Sequence, residues 1–248
     1  NVGGFAISGR TNNKSSLQSF MNLTPTNYFI GHESGLNVIN NQSQYNSTMG
    51  YQCGKALTTG DNNVFLGFQA GMSNTEGFNN VFIGYKAGTA NIGGYRNVFI
   101  GTEAGLNNTS GALNTFVGNV SGNNNLSGLA NTAIGNYAGY SNTTGNENVY
   151  VGQSAGNQNQ TGTGNVYIGR DAGYWNRAGS YNTYMGHFAG YNDTSSTFNV
   201  SLGCFSGYNL KTGTSNVFIG RYAGYNETNV SNKLIISSSQ TKNLIEGD

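Results

Sequence analysis

One nine-residue pattern recurs twelve times along the chain and limits the choice of fold more than any other feature. The copies begin at residues 27, 46, 63, 80, 97, 114, 131, 148, 165, 182, 199 and 216, so one step of 19 residues is followed by ten steps of 17. Every copy has Asn at position 1 and Gly at positions 5 and 9, position 4 is aliphatic, and position 8 is Ala, Ser or Cys. Such a fixed period is the signature of a stacked repeat architecture.

The repeat unit predicts one coil of a parallel β-solenoid. Seventeen residues are too few for two helices, and the Val, Ile, Phe and Gly content favours short strands and turns. Each repeat position should then form a column of side chains spaced by about 4.8 Å, and twelve coils should build a rod of roughly 58 Å. The alternative is an array of hairpins, but Asn-Gly, the strongest hairpin signal, does not occur in the chain. We therefore predict an all-β solenoid, or β-roll, of twelve coils.

Three segments are predicted along the chain. Residues 1–26 lack the repeat and are expected to form an N-terminal cap, and residues 27–231 form the solenoid. Residues 232–248 are expected to be a C-terminal cap or the start of another module, with a strand at Leu234 to Ile236. Solenoids need such ends, because an open coil edge invites further strands to pair with it.

Both faces of the repeated strand are apolar. Strand alternation sends positions 2 and 4 to one face and position 3, mostly Phe or Tyr, to the other. One face must line the narrow core, and the other either lies within the coil too or is covered by another chain, because an exposed aromatic column exceeds what a monomer leaves in water. Candidates for an interface between chains are therefore Phe65, Phe82, Phe99 and Phe116.

The invariant Asn and Gly columns are predicted to be structural. Buried Asn side chains stacked coil over coil can hydrogen-bond one another and the turn backbone, and Gly supplies positive φ. The candidates are Asn63, Asn80 and Asn97 at position 1, Gly67, Gly84 and Gly101 at position 5, and Gly71, Gly88 and Gly105 at position 9.

Composition excludes several classes of partner. Charged residues are 8% of the chain and the net charge is +1, so there is no basic surplus for nucleic acid or an anionic membrane. No run of 18 apolar residues is present, so no membrane-inserted segment is predicted. The chain has no initiating Met and no signal peptide, which we interpret as a mature product or a fragment.

No catalytic, metal or cofactor site is predicted. Cys53 and Cys204 lie nine coils apart, about 43 Å, so they cannot form a disulfide within one chain. His32 and His187 are separated in the same way and could share a metal only with symmetry mates on a trimer axis. The carboxylates are scattered, without a close pair for acid–base work or a Ser/His/Asp set. We therefore expect a protein that is not an enzyme.

An aromatic strip in the later copies is the candidate ligand-binding surface. In those copies position 10 is often Tyr. Carbohydrate-binding sites use such side chains, because the ring is apolar and its hydroxyl group can hydrogen-bond. An interchain seam also enriches Tyr, and this alternative stays open. A partly regular Ser/Thr column at position 14 gives a weaker ice-binding hypothesis. The strip consists of Tyr140, Tyr174, Trp175, Tyr191, Tyr208 and Tyr225.

The repeat resembles that of a known family. NTAIGNYAG (131–139) is similar to the head repeats of YadA-like trimeric autotransporter adhesins. The opening residues 3–10, the segment 23–35 and the tail 232–248 resemble the flanks of repeats in secreted bacterial tail-fibre-like proteins that end in an intramolecular chaperone, which is absent here. The resemblance implies a left-handed β-roll, three chains per fibre, export, and attachment in place of catalysis. The 17-residue period is longer than the usual adhesin-head repeat.

These observations lead to a functional prediction. We expect a structural or adhesive segment of an extracellular or cell-surface bacterial fibre, or of a phage or injection-system fibre, that presents a binding surface to a cell or glycan. Its partners would be further copies of itself, as a homotrimer or an end-to-end fibre, and a host-cell or glycan receptor. The alternatives are a filament subunit without a ligand and, more weakly, an ice-binding solenoid.

Overall fold

The computed structural model describes residues 5–9, 18–39, 42–240 and 243–247. Within them the chain forms sixteen strands and no helix, so none of the described segments is a helix that could cross a membrane. The strands are β1 (Phe5–Gly9), β2 (Gln18–Leu23), β3 (Asn27–Ile30), β4 (Asn46–Met49), β5 (Val64–Leu66), β6 (Val81–Ile83), β7 (Val98–Ile100), β8 (Thr115–Val117), β9 (Thr132–Ile134), β10 (Val149–Val151), β11 (Val166–Ile168), β12 (Thr183–Met185), β13 (Val200–Leu202), β14 (Val217–Ile219), β15 (Leu234–Ser237) and β16 (Asn243–Gly247).

The strands form one sheet in sequence order, and its central part is a parallel stack. From β3 to β15 each strand pairs in parallel with the next, and equal repeat positions lie opposite each other, as Phe82 does with Phe99. Successive Phe ring centroids are 4.8–4.9 Å apart, which is the strand spacing of a parallel stack. The predicted parallel β-solenoid of about twelve coils is confirmed.

Antiparallel strands close both ends of the stack. At the N-terminal end β1 pairs with β2 and β2 with β3, and at the C-terminal end β16 pairs with β15. The outermost strands of the parallel stack, β3 and β15, are therefore each covered by an antiparallel strand of the same chain. Residues 1–4 and 10–17 of the predicted N-terminal cap, and residues 241–242 and 248 of the C-terminal segment, lie outside the described residues.

The aromatic column at position 3 lies inside the coil. Phe65, Phe82, Phe99 and Phe116 are at most 1% exposed and stack ring on ring. They belong to one buried cluster with the position 8 alanines Ala70, Ala87 and Ala104. Position 9 makes room for the rings: a Cβ on Gly88 would stand 2.6 Å from the Phe82 ring. These four phenylalanines cannot meet another chain, which corrects their assignment as interface candidates.

Positions 2 and 4 consequently point outward along the whole rod. No residue at these positions is buried in any of the twelve coils. The exposed fraction is 42% for Val64 and Leu66, 36% for Ile100 and 41% for Ile134. The outer face of the sheet is therefore apolar although it faces water.

In two coils a small residue at position 3 is accompanied by a larger apolar residue at position 12. Where position 3 is small, at Thr48 and Ser201, position 12 is a fully buried leucine, Leu57 or Leu210, in place of the usual Asn. The seventh coil is the exception, because Ala133 has no such partner. Close packing requires the gap to be filled in another way.

Tyr150 fills part of the gap that Ala133 leaves. Its ring is tilted by 35° to that of Tyr167, whereas neighbouring Phe rings lie within 9° of parallel. A Cβ on Gly139, one coil away, would stand 2.6 Å from the Tyr150 ring. The ring thus leans toward the small layer.

Two buried columns of amides run beside the aromatic core. At position 1, the backbone and side-chain N–H groups of Asn80 donate to Asn63 Oδ1 at 3.0 and 3.1 Å, and Asn97 continues the column. At position 12, Asn91 Nδ2 donates to Asn74 Oδ1. Asn80 and Asn91 both donate to the carbonyl of Gly94, at 2.9 and 3.0 Å. The shared carbonyl joins the two columns into one hydrogen-bonded network, as buried polar groups require. Among the described residues, buried side-chain atoms of Asn142 and Asn159 at position 12 stay without a hydrogen-bond partner.

Candidate functional site

The tyrosines at position 10 form a ring stack on the outside of the last coils. Tyr174, Tyr191, Tyr208 and Tyr225 follow one another with centroids 5.2–5.3 Å apart and interplanar angles of 26°, 5° and 11°. Tyr140 stands apart in the seventh coil, where its ring contacts Tyr137 at 5.5 Å. The structure therefore brings together four of the five predicted tyrosines.

A second stack at position 7 interlocks with the first. Phe188, Phe205 and Tyr222 stack at 5.2–5.3 Å. They meet the tyrosines at steep angles, as Phe188 and Tyr191 do at 85° and 5.1 Å. All of these side chains are half-buried. The surface is a packed aromatic ledge with both stacked and edge-to-face contacts.

The stacking determines which parts of the aromatic rings a ligand can contact. The neighbouring rings cover one another's faces, so ring edges and hydroxyl groups face outward. Desolvation by these neighbours raises the pKa of the Tyr174 and Tyr208 phenols above the ordinary value. A sugar that packs on an aromatic ring needs a free face, and the interior of this stack provides none.

Trp175 differs from the tyrosines of the strip. Its column neighbours at position 11 are Gln158 and Asn192, so no aromatic ring stands above or below it. Its only ring contact among the described residues is with Tyr174, at 5.0 Å and 71°. An edge-to-face contact covers at most one face of a ring, so Trp175 keeps a face without aromatic cover.

A groove follows the rod between columns 11 and 13. The side chains of these columns project on either side of the buried column 12. In the fourth to eighth coils the groove holds a cleft of about 480 Å³ lined by uncharged residues that include Asn107, Thr109, Asn124, Ser141 and Gln160. A second cleft of about 270 Å³ is lined by Trp175, Arg177, Asn192, Thr194 and Lys211. Sequence reasoning missed the groove, although polar residues flanking the position 12 Asn were its signal.

The second cleft carries two cations. Arg177 and Lys211 are exposed, and neither side chain makes an ion pair or hydrogen bond with any residue in the described part of the chain. Thr194 Oγ1 donates to the Lys211 carbonyl at 2.8 Å, and Asn192 Nδ2 donates to Asn209 Oδ1 at 3.2 Å. The cleft is therefore locally basic on a nearly neutral protein.

Asp193 lies beneath this cleft, in the column that Asn occupies in the preceding coils. It is fully buried and accepts hydrogen bonds from the Tyr184 hydroxyl and Asn176 Nδ2, both at 2.6 Å, and from the Ser196 backbone at 2.9 Å. Burial raises the pKa of the Asp193 carboxyl despite these bonds. A raised pKa means that ionisation opposes folding, so stability falls as pH rises from the ordinary aspartate value through the folded-state pKa.

Asp193→Asn is therefore expected to stabilise the protein at neutral pH. It restores the column's usual residue and removes the carboxyl whose ionisation is opposed by burial, so the protein should be more stable wherever that carboxyl would ionise. Thermal unfolding should show the gain at pH 7 and its disappearance below the ordinary aspartate range. Glu147→Gln, which removes an exposed carboxylate, should leave the midpoint unchanged. An equal gain at all pH values would contradict this interpretation.

The remaining predicted groups are separate from one another. Cys53 is buried, and desolvation raises the pKa of its thiol to about 12, so it is inert. Cys204 lies half-buried at position 6. His32 stacks on Tyr51, which begins a Tyr51–Phe68–Tyr85 ladder that sequence reasoning missed, and His187 packs on Phe188. The described residues contain no cluster of three or more His, Cys, Asp or Glu side chains that could hold a metal.

Comparison with known proteins gives no relative. No protein-family description, curated protein or solved structure matches the chain. The likeness to adhesin heads therefore depends on the repeat motif alone, and functional inference has to start from the geometry of the rod.

Proposed function

We propose that the chain is a non-enzymatic rod segment of an extracellular bacterial or phage-like fibre, with a structural and adhesive role. In this proposal three copies of a left-handed coil run side by side, and the finished rod presents its remaining surface to a cell or a glycan. The resemblance of the repeat to adhesin heads supports the number of chains and the location. The solenoid supplies the stiffness.

The outer face of the sheet carries the proposal. Positions 2 and 4 contain only Val, Ile, Leu, Met, Thr, Ser and Tyr in all twelve copies, without one charge. These side chains remain partly exposed along the rod. A continuous apolar strip of this length exceeds the few hundred Å² that a monomer usually leaves in water. Flat, parallel faces of several copies would cover one another.

A filament subunit without a ligand is the second candidate. The ring stacks at positions 7 and 10 favour it, because their faces are already occupied by one another. In that case the aromatic ledge stiffens the rod and nothing binds there. The two candidates share the same assembly and differ only in whether the rod surface recognises a ligand.

Ile100→Glu is expected to weaken the assembly. Ile100 stands in the middle of the outer face and is 36% exposed, so a charge there must be desolvated when copies pack together. The matched control is Ile92→Glu, since Ile92 is 52% exposed but lies at position 13, away from this face. Light scattering should give a lower mass for Ile100→Glu alone. If both variants had the same mass as the unaltered protein, the outer face would not be the interface between copies.

A further inference from the structure

We propose that the groove between columns 11 and 13 binds an acidic polysaccharide, with a carboxylated sugar seated on Trp175 between Arg177 and Lys211. The inference rests on the proposed function, because it names the ligand class that an extracellular rod of this kind would recognise. The site lies outside the stacked tyrosines.

The indole supplies the platform. Trp175 keeps a ring face without aromatic cover, whereas the neighbouring tyrosines stack on one another. It lines the cleft of about 270 Å³ together with Asn192 and Thr194. An apolar ring beside amide and hydroxyl groups matches a sugar, which has an apolar ring face and a polar rim.

The two cationic side chains of the cleft indicate a negatively charged ligand. Arg177 and Lys211 stand two coils apart at position 13, about 10 Å along the rod, and neither has an anionic partner among the described residues. Asp193 lies between them in sequence, but its carboxylate is buried and bonded to Tyr184, so it does not occupy them. Unpaired cations beside an aromatic platform complement a carboxylate on a sugar ring.

The groove also indicates a linear ligand. Gln160 of the uncharged cleft is one coil away from Trp175, so the two clefts follow each other along one groove. Asn107, Asn124 and Ser141 offer amide and hydroxyl groups there at the spacing of one coil. A polysaccharide held at its acidic sugar by the cations can continue along these polar residues.

Single-stranded nucleic acid is the competing occupant. It also combines negative charge with stacking rings. Its affinity depends on neutralising several phosphates, and the second cleft provides two cations on a chain of net charge +1. The groove therefore favours a sparsely charged saccharide.

Trp175 is the chain's only tryptophan, so its fluorescence reports on this cleft alone. Titration of the full chain with a short oligogalacturonate should shift or quench the emission, and added salt should weaken the effect. An uncharged xylo-oligosaccharide should bind at least about tenfold more weakly, because it lacks the charge-assisted hydrogen bonds.

Charge-removing variants locate the site. Arg177→Gln and Lys211→Gln should each weaken binding of the oligogalacturonate about tenfold. Lys86→Gln removes the same charge from position 7, outside both clefts, and should leave binding unchanged. Trp175→Leu should lower the affinity for the oligogalacturonate without changing the mass of the assembly. Because this variant lacks tryptophan, its binding would be measured by calorimetry.

Each contrary result overturns the inference. The inference fails if oligogalacturonate does not bind, or if the uncharged oligosaccharide binds equally well. It also fails if an oligothymidylate binds more tightly than oligogalacturonate, or if Lys86→Gln lowers the affinity as much as the cleft variants do. Light scattering on the same samples tests the proposed assembly independently of saccharide binding. An assembled protein that does not bind refutes the groove alone, whereas a saccharide-binding monomer refutes the assembly alone.

Discussion

Gly84→Ala is expected to destabilise the protein by roughly 3 kcal/mol or more. Gly84 has φ +138°, a conformation that residues with a Cβ rarely adopt, and a Cβ there would overlap the backbone carbonyl oxygen of Gly101 in the next coil. The obstacle is backbone, so no side-chain rotation relieves it. Because every coil has Gly at this position, the same clash would arise in any of them.

Gly93→Ala is the matched control. Gly93 lies nine residues further on, without positive φ, and a Cβ added there would have no heavy atom within 4 Å. Denaturant unfolding should place Gly93→Ala at or slightly above the unaltered protein, because alanine restricts the unfolded chain, and Gly84→Ala far below it. Similar midpoints for the two variants would show that the coils are not stacked at this distance.

Asn97→Ala is expected to cost about 2–4 kcal/mol. The Asn97 side chain donates to the Gly111 carbonyl at 2.8 Å, and its Oδ1 accepts from the backbone and side-chain N–H groups of Asn114 at 3.0 and 3.2 Å. Alanine would leave the buried N–H of Asn114 without its partner and open a small cavity. Both consequences fall inside the amide network, where Asn97 and Asn114 are fully buried.

Asn119→Ala tests whether the amide network itself is responsible. Asn119 stands at position 6 of the next coil and is exposed, so its truncation should change the free energy of unfolding by less than about 0.5 kcal/mol. Both variants would be compared by urea unfolding at neutral pH. If Asn97→Ala proved as mild as Asn119→Ala, the position 1 column would not hold the coils together.

The sequence predicts the coil well because its invariant residues have backbone roles. Gly84 and Asn97 recur at a fixed period, and the period determines both the parallel register and the number of coils. Which strand face is inside could not be predicted from alternation, because Val81 and Phe82 are both apolar and alternation gives only their relative directions. The available signal was Gly88, whose missing Cβ makes room for the Phe82 ring.

The candidate site was predicted only in part. The period placed Tyr191 and Tyr208 in one column, but it did not show that their stacking would cover the ring faces. The groove was missed because the residue type at its positions changes from coil to coil, for example from Trp175 to Asn192. These residues share only a repeat position beside the buried column 12. Asp193 was visible as a departure from the Asn column, yet its effect depends on burial, which sequence does not give.

Light scattering over a range of concentrations, which gives the mass of the full chain in solution, tests whether copies pack through the outer face of the sheet. Each chain has a mass of 26.2 kDa, and the proposed trimer should give a particle of three times that mass that persists on dilution. A particle of 26.2 kDa at every concentration would contradict the claim that copies pack through the outer face of the sheet.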